Sequence, residues 1–72
     1  MESMDLRGVS CPLNYVRTKL KLEELEPGQV LEIYLDDGEA ILNVPRSAKE
    51  DGHTILKVEK EKDYYKVLIK NE

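Results

Sequence analysis

Apolar and polar residues alternate in short stretches of the chain, a pattern typical of strands that bury one face. Between Val30 and Asp36 every second residue is apolar, and these residues are Leu31, Ile33 and Leu35. Met4 to Arg7 alternates more weakly and predicts a short opening strand. Each stretch is short enough to be one strand of a small sheet.

Two further alternating stretches, Thr54–Lys60 and Tyr64–Lys70, are separated by only three residues. Such a short connection predicts a hairpin. The charge run from Glu59 to Asp63 is expected to form its solvated tip. The alternating apolar positions, which a half-buried strand would turn toward the core, are Leu56 and Val58 in the first strand and Tyr65, Val67 and Ile69 in the second. Tyr64 and Tyr65 alternate to different faces, so one of them is expected in the core and the other on the surface.

The stretch after the opening strand is predicted to be helical over about residues 12 to 25. Pro12 suits the first turn of a helix, because its missing N–H would have no partner there. No other proline or glycine follows until Pro27.

A second helix is predicted through residues 39–48, ending at Gly52. Asp36 and Asp37 precede it, and at least one of them is expected to cap its first turn, an interpretation favoured over a catalytic carboxylate pair. Pro45 is expected to distort this helix or divide it in two.

The predicted order is therefore β-α-β-α-β-β. Its minimal packing is an α/β two-layer sandwich, with two helices on one face of a four-stranded mixed sheet. The length of 72 residues predicts a single domain over residues 1–72, with a radius of gyration of roughly 11 Å.

Apolar positions of the first helix fall on two stripes. The stripe assigned to the core consists of Tyr15, Thr18, Leu22 and Leu25. The other consists of Leu13, Val16 and Leu20. Because a two-layer fold buries only one face of a helix fully, this second stripe is either a docking face for a partner or a strip covered by the stems of Arg17 and Lys19.

Charge and composition exclude several classes of function. Fifteen acidic and eleven basic residues give a net charge of −4, the wrong sign for general binding to a phosphate backbone. The longest uncharged stretch, Gly8 to Val16, is far below a membrane span. A single cysteine cannot form an internal disulfide, and one cysteine with one histidine cannot complete a usual zinc site. The unpaired thiol and the absence of a signal-like opening predict a cytoplasmic protein.

Cys11 is the principal candidate for chemistry. It directly precedes Pro12, so its sulfur is expected at the N-terminal end of the first helix, where free N–H groups and the helix dipole favour a thiolate. Gly8 would allow close approach of the backbone, and Arg7 and Arg17 would add positive field. From position alone, a buried structural cysteine is an equally good interpretation.

The residues around Cys11 resemble a known signature. Asp5-Leu6-Arg7-Gly8-Val9-Ser10-Cys11-Pro12 is similar to the opening motif D-x-R-G-x-x-C-P-x-P of the TusA/SirA-like sulfur-carrier family. Similarity continues in order along nearly the whole chain, at Leu25-x-Pro27-Gly28, Asp36-Asp37, Asn43-Val44-Pro45 and Gly52-His53. The chain departs from the family pattern at Asn14, which replaces the second proline, and at Asn43, which replaces an acidic residue.

The resemblance implies the same fold and a sulfur-relay function. Cys11 would accept sulfane sulfur as a persulfide from a cysteine desulfurase or a rhodanese-like protein, and would pass it to a downstream acceptor protein. The chain would be a sulfurtransferase in this limited sense, and would need no metal or organic cofactor. The expected support of the sulfur site comes from Arg7, Gly8, Pro12 and Asn14. The expected partner contacts are Leu13, Val16, Arg17, Lys19 and Leu20.

Other interpretations stay open at this point. A non-catalytic interaction or regulatory module of the same fold is the alternative function, and RNA binding would rest on fold analogy alone. His53, the only histidine, could act as an acid or base, but a structural hydrogen bond at the junction of a helix and a strand is favoured.

Overall fold

The structure, a computed structural model, describes residues 2–72. The predicted order β-α-β-α-β-β is confirmed. The elements are β1 (Glu2–Asp5), α1 (Leu13–Glu24), β2 (Val30–Asp36), α2 (Glu39–Glu50), β3 (Thr54–Lys60) and β4 (Tyr64–Lys70).

The four strands form one mixed sheet in the order β1-β2-β4-β3. β1 pairs with β2 in parallel, and α1 makes the crossover that a parallel pair requires. β2 and β4 are antiparallel, as are β4 and β3, so the predicted hairpin is present. The two most apolar strands therefore occupy the centre of the sheet.

The core lies between the sheet and the two helices. Alternate residues of the central strands face it, as predicted, and α2 adds residues spaced four apart, which lie on one helix face. The fully or nearly fully buried apolar residues are Leu6, Leu22, Leu31, Ile33, Leu35, Ala40, Val44, Ala48, Val67 and Ile69.

The opening strand lies two residues earlier than predicted, at Glu2–Asp5 instead of Met4–Arg7. The chain turns where the longer strand would continue, because the Asp5 carboxylate accepts hydrogen bonds from both the backbone N–H and the guanidinium of Arg7. Leu6 is nevertheless buried, and its N–H donates to the Tyr34 carbonyl at 2.9 Å.

The prediction that Leu56 and Val58 are core residues is wrong, since they are 50% and 48% exposed. A β-bulge shifts the register of β3 between Ile55 and Lys57, leaving Leu56 without a partner in β4. Ile55 instead packs against the core. Val58 lies opposite Val67 but on an edge strand, where the helices do not cover it fully.

The second helix is continuous across Pro45, so of the two expected outcomes, distortion or division, division does not occur. Interior proline costs a helix about 3 kcal/mol through its missing N–H and a steric clash. Apolar residues on both sides of Pro45, from Ala40 to Ala48, pack into the core and hold the two halves in one helix.

The prediction that Asp36 or Asp37 caps α2 is also wrong, since no side chain of residues 2–72 makes a capping hydrogen bond there. Gly38 occupies the N-cap position with φ +96° and ψ −129°, a conformation that L side chains rarely adopt. Asp37 accepts the Gly38 N–H at 2.8 Å and so stabilises this turn without capping the helix.

The two stripes of α1 are confirmed. Thr18 and Leu22 are buried, and Tyr15 and Leu25 pack against the core. The side chains of the second stripe are about half exposed, at 48% for Leu13, 45% for Val16 and 56% for Leu20. Neither helix of residues 2–72 is long and apolar enough to cross a membrane.

Candidate functional site

Cys11 lies in the loop between β1 and α1 and is half-buried. It lines a cavity of about 190 Å³. One wall comes from the loop and the start of α1, and the other from the turn between β2 and α2. The lining residues are Val9, Ser10, Cys11, Asn14, Asp36, Asp37, Glu39 and Ala40. The site thus lies at the carboxyl ends of the two parallel strands, where open α/β sheets commonly form a crevice.

Two carboxamides donate hydrogen bonds to the Cys11 sulfur. Asn14 Nδ2 is 3.4 Å from Sγ, and Asn43 Nδ2 is 3.9 Å from it. The oxygen of each amide has its own donor: the Tyr15 N–H lies 2.7 Å from Asn14 Oδ1, and Arg46 Nη2 lies 2.7 Å from Asn43 Oδ1. These donors fix the amide orientations, so that nitrogen and not oxygen faces the sulfur.

Asn14 is fully buried and joins the loop to the helix. Besides its contact with sulfur, Asn14 Nδ2 donates to the Val9 backbone carbonyl at 3.4 Å. The backbone carbonyl of Asn14 accepts a hydrogen bond from Thr18 Oγ1 at 2.9 Å. The residue that departs from the family signature therefore contacts the sulfur directly, and its predicted supporting role stays a prediction.

The N-terminal turn of α1 has fewer free backbone N–H groups than expected. Pro12 lies at the N-cap position, just outside the helix, and the Cys11–Pro12 peptide bond is cis. The N–H groups of Asn14, Tyr15 and Val16 already have acceptors. Within the described part of the chain, the hydrogen bonds to Sγ come from side-chain amides and not from backbone N–H groups.

Gly8 shapes the loop through its conformation. Its φ is +81°, yet among residues 2–72 no heavy atom outside Gly8 and its two chain neighbours lies within 4 Å of the position a Cβ would take. On the side where a Cβ would lie, no other part of the described chain therefore approaches Gly8 as closely as expected. Glycine is favoured at this position because of the positive φ. The Gly8 N–H donates to Asp36 Oδ2 at 2.7 Å. Asp36, expected to cap α2, instead ties the cysteine loop to the end of β2.

Replacing Asp36 by alanine is expected to loosen this loop and to lower the free energy of unfolding by about 1 kcal/mol. The Gly8 amide should exchange with solvent faster, because its acceptor is gone. Hydrogen exchange followed by NMR measures this rate. Asp37→Ala is the matched control, since among residues 2–72 the only hydrogen bond of the Asp37 side chain is the one it accepts from the adjacent Gly38 N–H. Equal protection of Gly8 in wild-type protein and Asp36→Ala would show that the contact does not hold the loop.

Arg7 is directed toward the sheet. Its guanidinium pairs with Asp5 at 2.8 Å and lies 4.6 Å from the ring centroid of Tyr64 and 5.9 Å from that of Tyr34. The hydrogen bonds from Arg7 lower the pKa of Asp5 to about 2. The contacts of Arg7 thus stabilise the turn before the cysteine loop, and its predicted effect on the sulfur stays a prediction.

The remaining predicted residues occupy separate surfaces. Arg17 and Lys19 are exposed on α1, on the helix that also presents the second stripe. The Nδ1 atom of His53 accepts a hydrogen bond from the backbone N–H of Glu72 at 3.4 Å. The backbone N–H of His53 donates to the Ala48 carbonyl. These contacts agree with a structural role for His53. No group of three or more His, Cys, Asp or Glu side chains among residues 2–72 could hold a metal ion.

Sequence reasoning missed one contact of the site, that of Asn43. The sequence shows it only as a departure from the family's acidic residue, and nothing in that departure places it near Cys11. The contact arises because α2 packs beside α1 and brings Asn43, thirty-two positions along the chain, to the sulfur.

Fold and site together define a class of small α/β sandwiches that present one cysteine between the first strand and the first helix. The chain belongs to the family described as Sulfurtransferase TusA, whose model matches residues 2–71. The resemblance found in the sequence is thereby confirmed, and membership indicates a sulfur carrier protein.

Individual relatives agree with this assignment. The chain is 45% identical over 71 residues to an Archaeoglobus fulgidus protein named "Putative sulfur carrier protein", covering 96% of this chain and 80% of the relative. It is 38% identical to the Bacillus subtilis "Putative sulfur carrier protein YrkI", covering 92% and 88% of the two chains. The crystal structure of a SirA-like protein from Desulfitobacterium hafniense superposes with a TM-score of 0.83 at 30% identity, covering 97% and 96% of the two chains.

Proposed function

We propose that Cys11 accepts sulfane sulfur as a persulfide and passes it to an acceptor in a sulfur relay. The observation that carries this proposal is the position of the thiol: it is half-buried, lines an open cavity and receives two amide hydrogen bonds. A purely structural cysteine would be expected to lie among apolar side chains. Membership of a sulfur-carrier family supports the same chemistry.

Loading requires one exchange at sulfur. The Cys11 thiolate attacks the outer sulfur of a donor persulfide, the new S–S bond forms, and the electron pair of the broken bond leaves with the donor thiolate. One S–S bond forms as another breaks, and the transferred sulfur keeps its proton and its oxidation state, so no external oxidant is consumed. The cavity beside Cys11 offers space for one additional sulfur atom.

The donor is proposed to be a cysteine desulfurase or a rhodanese-like protein, and the acceptor a second protein of the relay. The half-exposed stripe of Leu13, Val16 and Leu20 supports a docking role, because it begins two residues after Cys11. Arg17 and Lys19, exposed on the same helix, would add charged contacts to the apolar ones. An unpaired thiol with this role is suited to the reducing cytoplasm.

The direct test is the intact mass of the purified protein after incubation with a cysteine desulfurase and cysteine. We expect a gain of one sulfur, roughly 32 Da, that a thiol reductant removes. Because the chain contains a single cysteine, a reducible gain on one residue identifies Cys11. Protein alkylated with iodoacetamide beforehand is the control and should gain no sulfur.

A folded protein that gains no sulfur from several donors, with a thiol that reacts slowly with iodoacetamide at pH 6 to 7, would contradict the proposal. The alternative, a non-catalytic interaction module that uses the same α1 stripe, would then be favoured, since the half-exposed stripe does not depend on sulfur chemistry.

A further inference from the structure

The two carboxamides beside Cys11 approach the same sulfur atom from different helices. Asn14 lies in the first turn of α1, and Asn43 lies in α2. Both orient an N–H toward Sγ, because each amide oxygen is already bonded to another donor. N–H donors stabilise a sulfur that carries negative charge more than one that is neutral.

The relative positions of these helices are held by Tyr15. Its hydroxyl, on α1, donates to the Ser47 carbonyl of α2 at 3.3 Å and also contacts the Asp51 carboxylate. Burial and the Asp51 carboxylate raise the pKa of Tyr15 above its usual value, so the hydroxyl keeps its proton and remains a donor. Because Tyr15 links α1 to α2, it also holds Asn14 of α1 and Asn43 of α2 in fixed positions beside the Cys11 sulfur.

We infer that Asn14 and Asn43 stabilise Cys11 as the leaving group when sulfur is transferred out, and so promote release of the cargo. This inference rests on the proposed persulfide function. In the release step an acceptor nucleophile attacks the outer sulfur, the bond between the outer sulfur and Sγ breaks, and its electron pair stays on Sγ. A thiolate that is better stabilised leaves faster.

The rate of loading depends less on these two hydrogen bonds than the rate of release does. Stabilising the Cys11 thiolate raises the fraction of sulfur in the nucleophilic form but lowers the nucleophilicity of that form, and the two effects oppose each other. Loss of an amide donor is therefore expected to slow release more than loading. A merely structural role would change the two rates together or neither of them.

Asn43 provides the sharper test, because it is only partly buried, whereas Asn14 is fully buried and also holds the loop. Asn43→Ala removes the donor. Asn43→Asp keeps the shape and replaces the donor by a carboxylate oxygen. Leu42→Ala is the matched control on the same helix, since Leu42 is 69% exposed.

Release is measured with cyanide as the nucleophile at fixed pH. Cyanide takes the outer sulfur of the loaded protein as thiocyanate and leaves the Cys11 thiolate, with the proton of the perthiol passing to water; ferric iron then reports thiocyanate by its colour. Loading is measured separately, as the rate of the gain in mass with a cysteine desulfurase and cysteine.

We expect Asn43→Ala to release sulfur about tenfold more slowly than wild-type protein, the effect of losing one hydrogen bond to a charged group. Asn43→Asp should be slower still, because its carboxylate repels the developing thiolate. Loading of both variants should stay within about threefold of wild type, and Leu42→Ala should match wild type in both steps.

Release from Asn43→Ala within twofold of the wild-type rate would overturn the inference, as would an equal slowing of loading and release. Failure of the wild-type protein to load at all would instead refute the proposed function, so the two failures are distinguishable. Asn14→Ala, examined only if its thermal unfolding shows a folded protein, should repeat the split between the two steps.

Discussion

Replacing Cys11 by serine will abolish sulfur loading while the protein remains folded. A serine hydroxyl is not deprotonated at neutral pH and cannot hold sulfane sulfur as a persulfide, so the gain in mass should fall to zero. The fold should persist because Cys11 is only half-buried and a serine oxygen can accept the hydrogen bonds that Asn14 and Asn43 now give to sulfur.

Two measurements on the Cys11→Ser protein check this expectation. Mass spectrometry after incubation with a cysteine desulfurase and cysteine should show only the unmodified chain. The Tm of thermal unfolding should fall by no more than about 4–8 °C. In a domain of this size such a fall corresponds to a loss of about 1 kcal/mol in the free energy of unfolding. A variant that unfolds at room temperature would show that the thiol is a core group, contrary to the proposed role.

Truncating Leu31 will have a large effect on stability. Its side chain is fully buried on the central strand β2, between Glu2 of β1 and Ile69 of β4 in the register of the sheet. Leu31→Ala should lower the free energy of unfolding by about 2–5 kcal/mol through lost burial and the cavity left behind. A chain of this length has a total stability of roughly 4–11 kcal/mol, so a large part of it would be lost.

Leu56→Ala is the matched control, because it makes the same chemical change at a position that is 50% exposed. It should cost less than about 1 kcal/mol. Urea unfolding followed by circular dichroism compares the two variants. Equal losses would mean that Leu56 is a core residue, as its alternation in the sequence predicts, and that the bulge in β3 is absent in solution.

The sequence predicts most of the fold because its strongest signals coincide with burial. The alternation in Val30–Asp36 and Tyr64–Lys70 marks the central strands, which are packed on the helix side, and the core stripe of α1 follows helical spacing. Both signals depend only on which face of an element is covered, so single-sequence periodicity is sufficient to find them.

The features that the sequence does not predict have a different, common origin. The bulge at Leu56 and the continuity of α2 across Pro45 depend on contacts made by distant parts of the chain, which local patterns do not encode. Asp36 has the residue type of a helix cap, but the Gly8 N–H competes for its carboxylate across 28 positions. Tertiary contacts override local preference in each case.

The candidate site was predictable in part. The sequence predicts that Cys11 precedes a helix and shows the family signature around it. It also shows Asn14 as a departure from that signature. The contact of Asn43 with sulfur could not be read, because it depends on the packing of α2 against α1. A substitution at a signature position is more informative once the structure shows what the new side chain touches.

The bulge in β3 also affects how well this edge of the sheet can pair with a strand of another molecule. β3 is an edge strand, and an unbroken edge with apolar side chains is a template for strand addition by another molecule and for aggregation. The extra residue at Leu56 interrupts the row of free peptide groups, and the Lys57 and Lys60 side chains add charge along it. Although Leu56 and Val58 are half-exposed, this edge is therefore a poorer template for strand addition than an unbroken, uncharged strand would be.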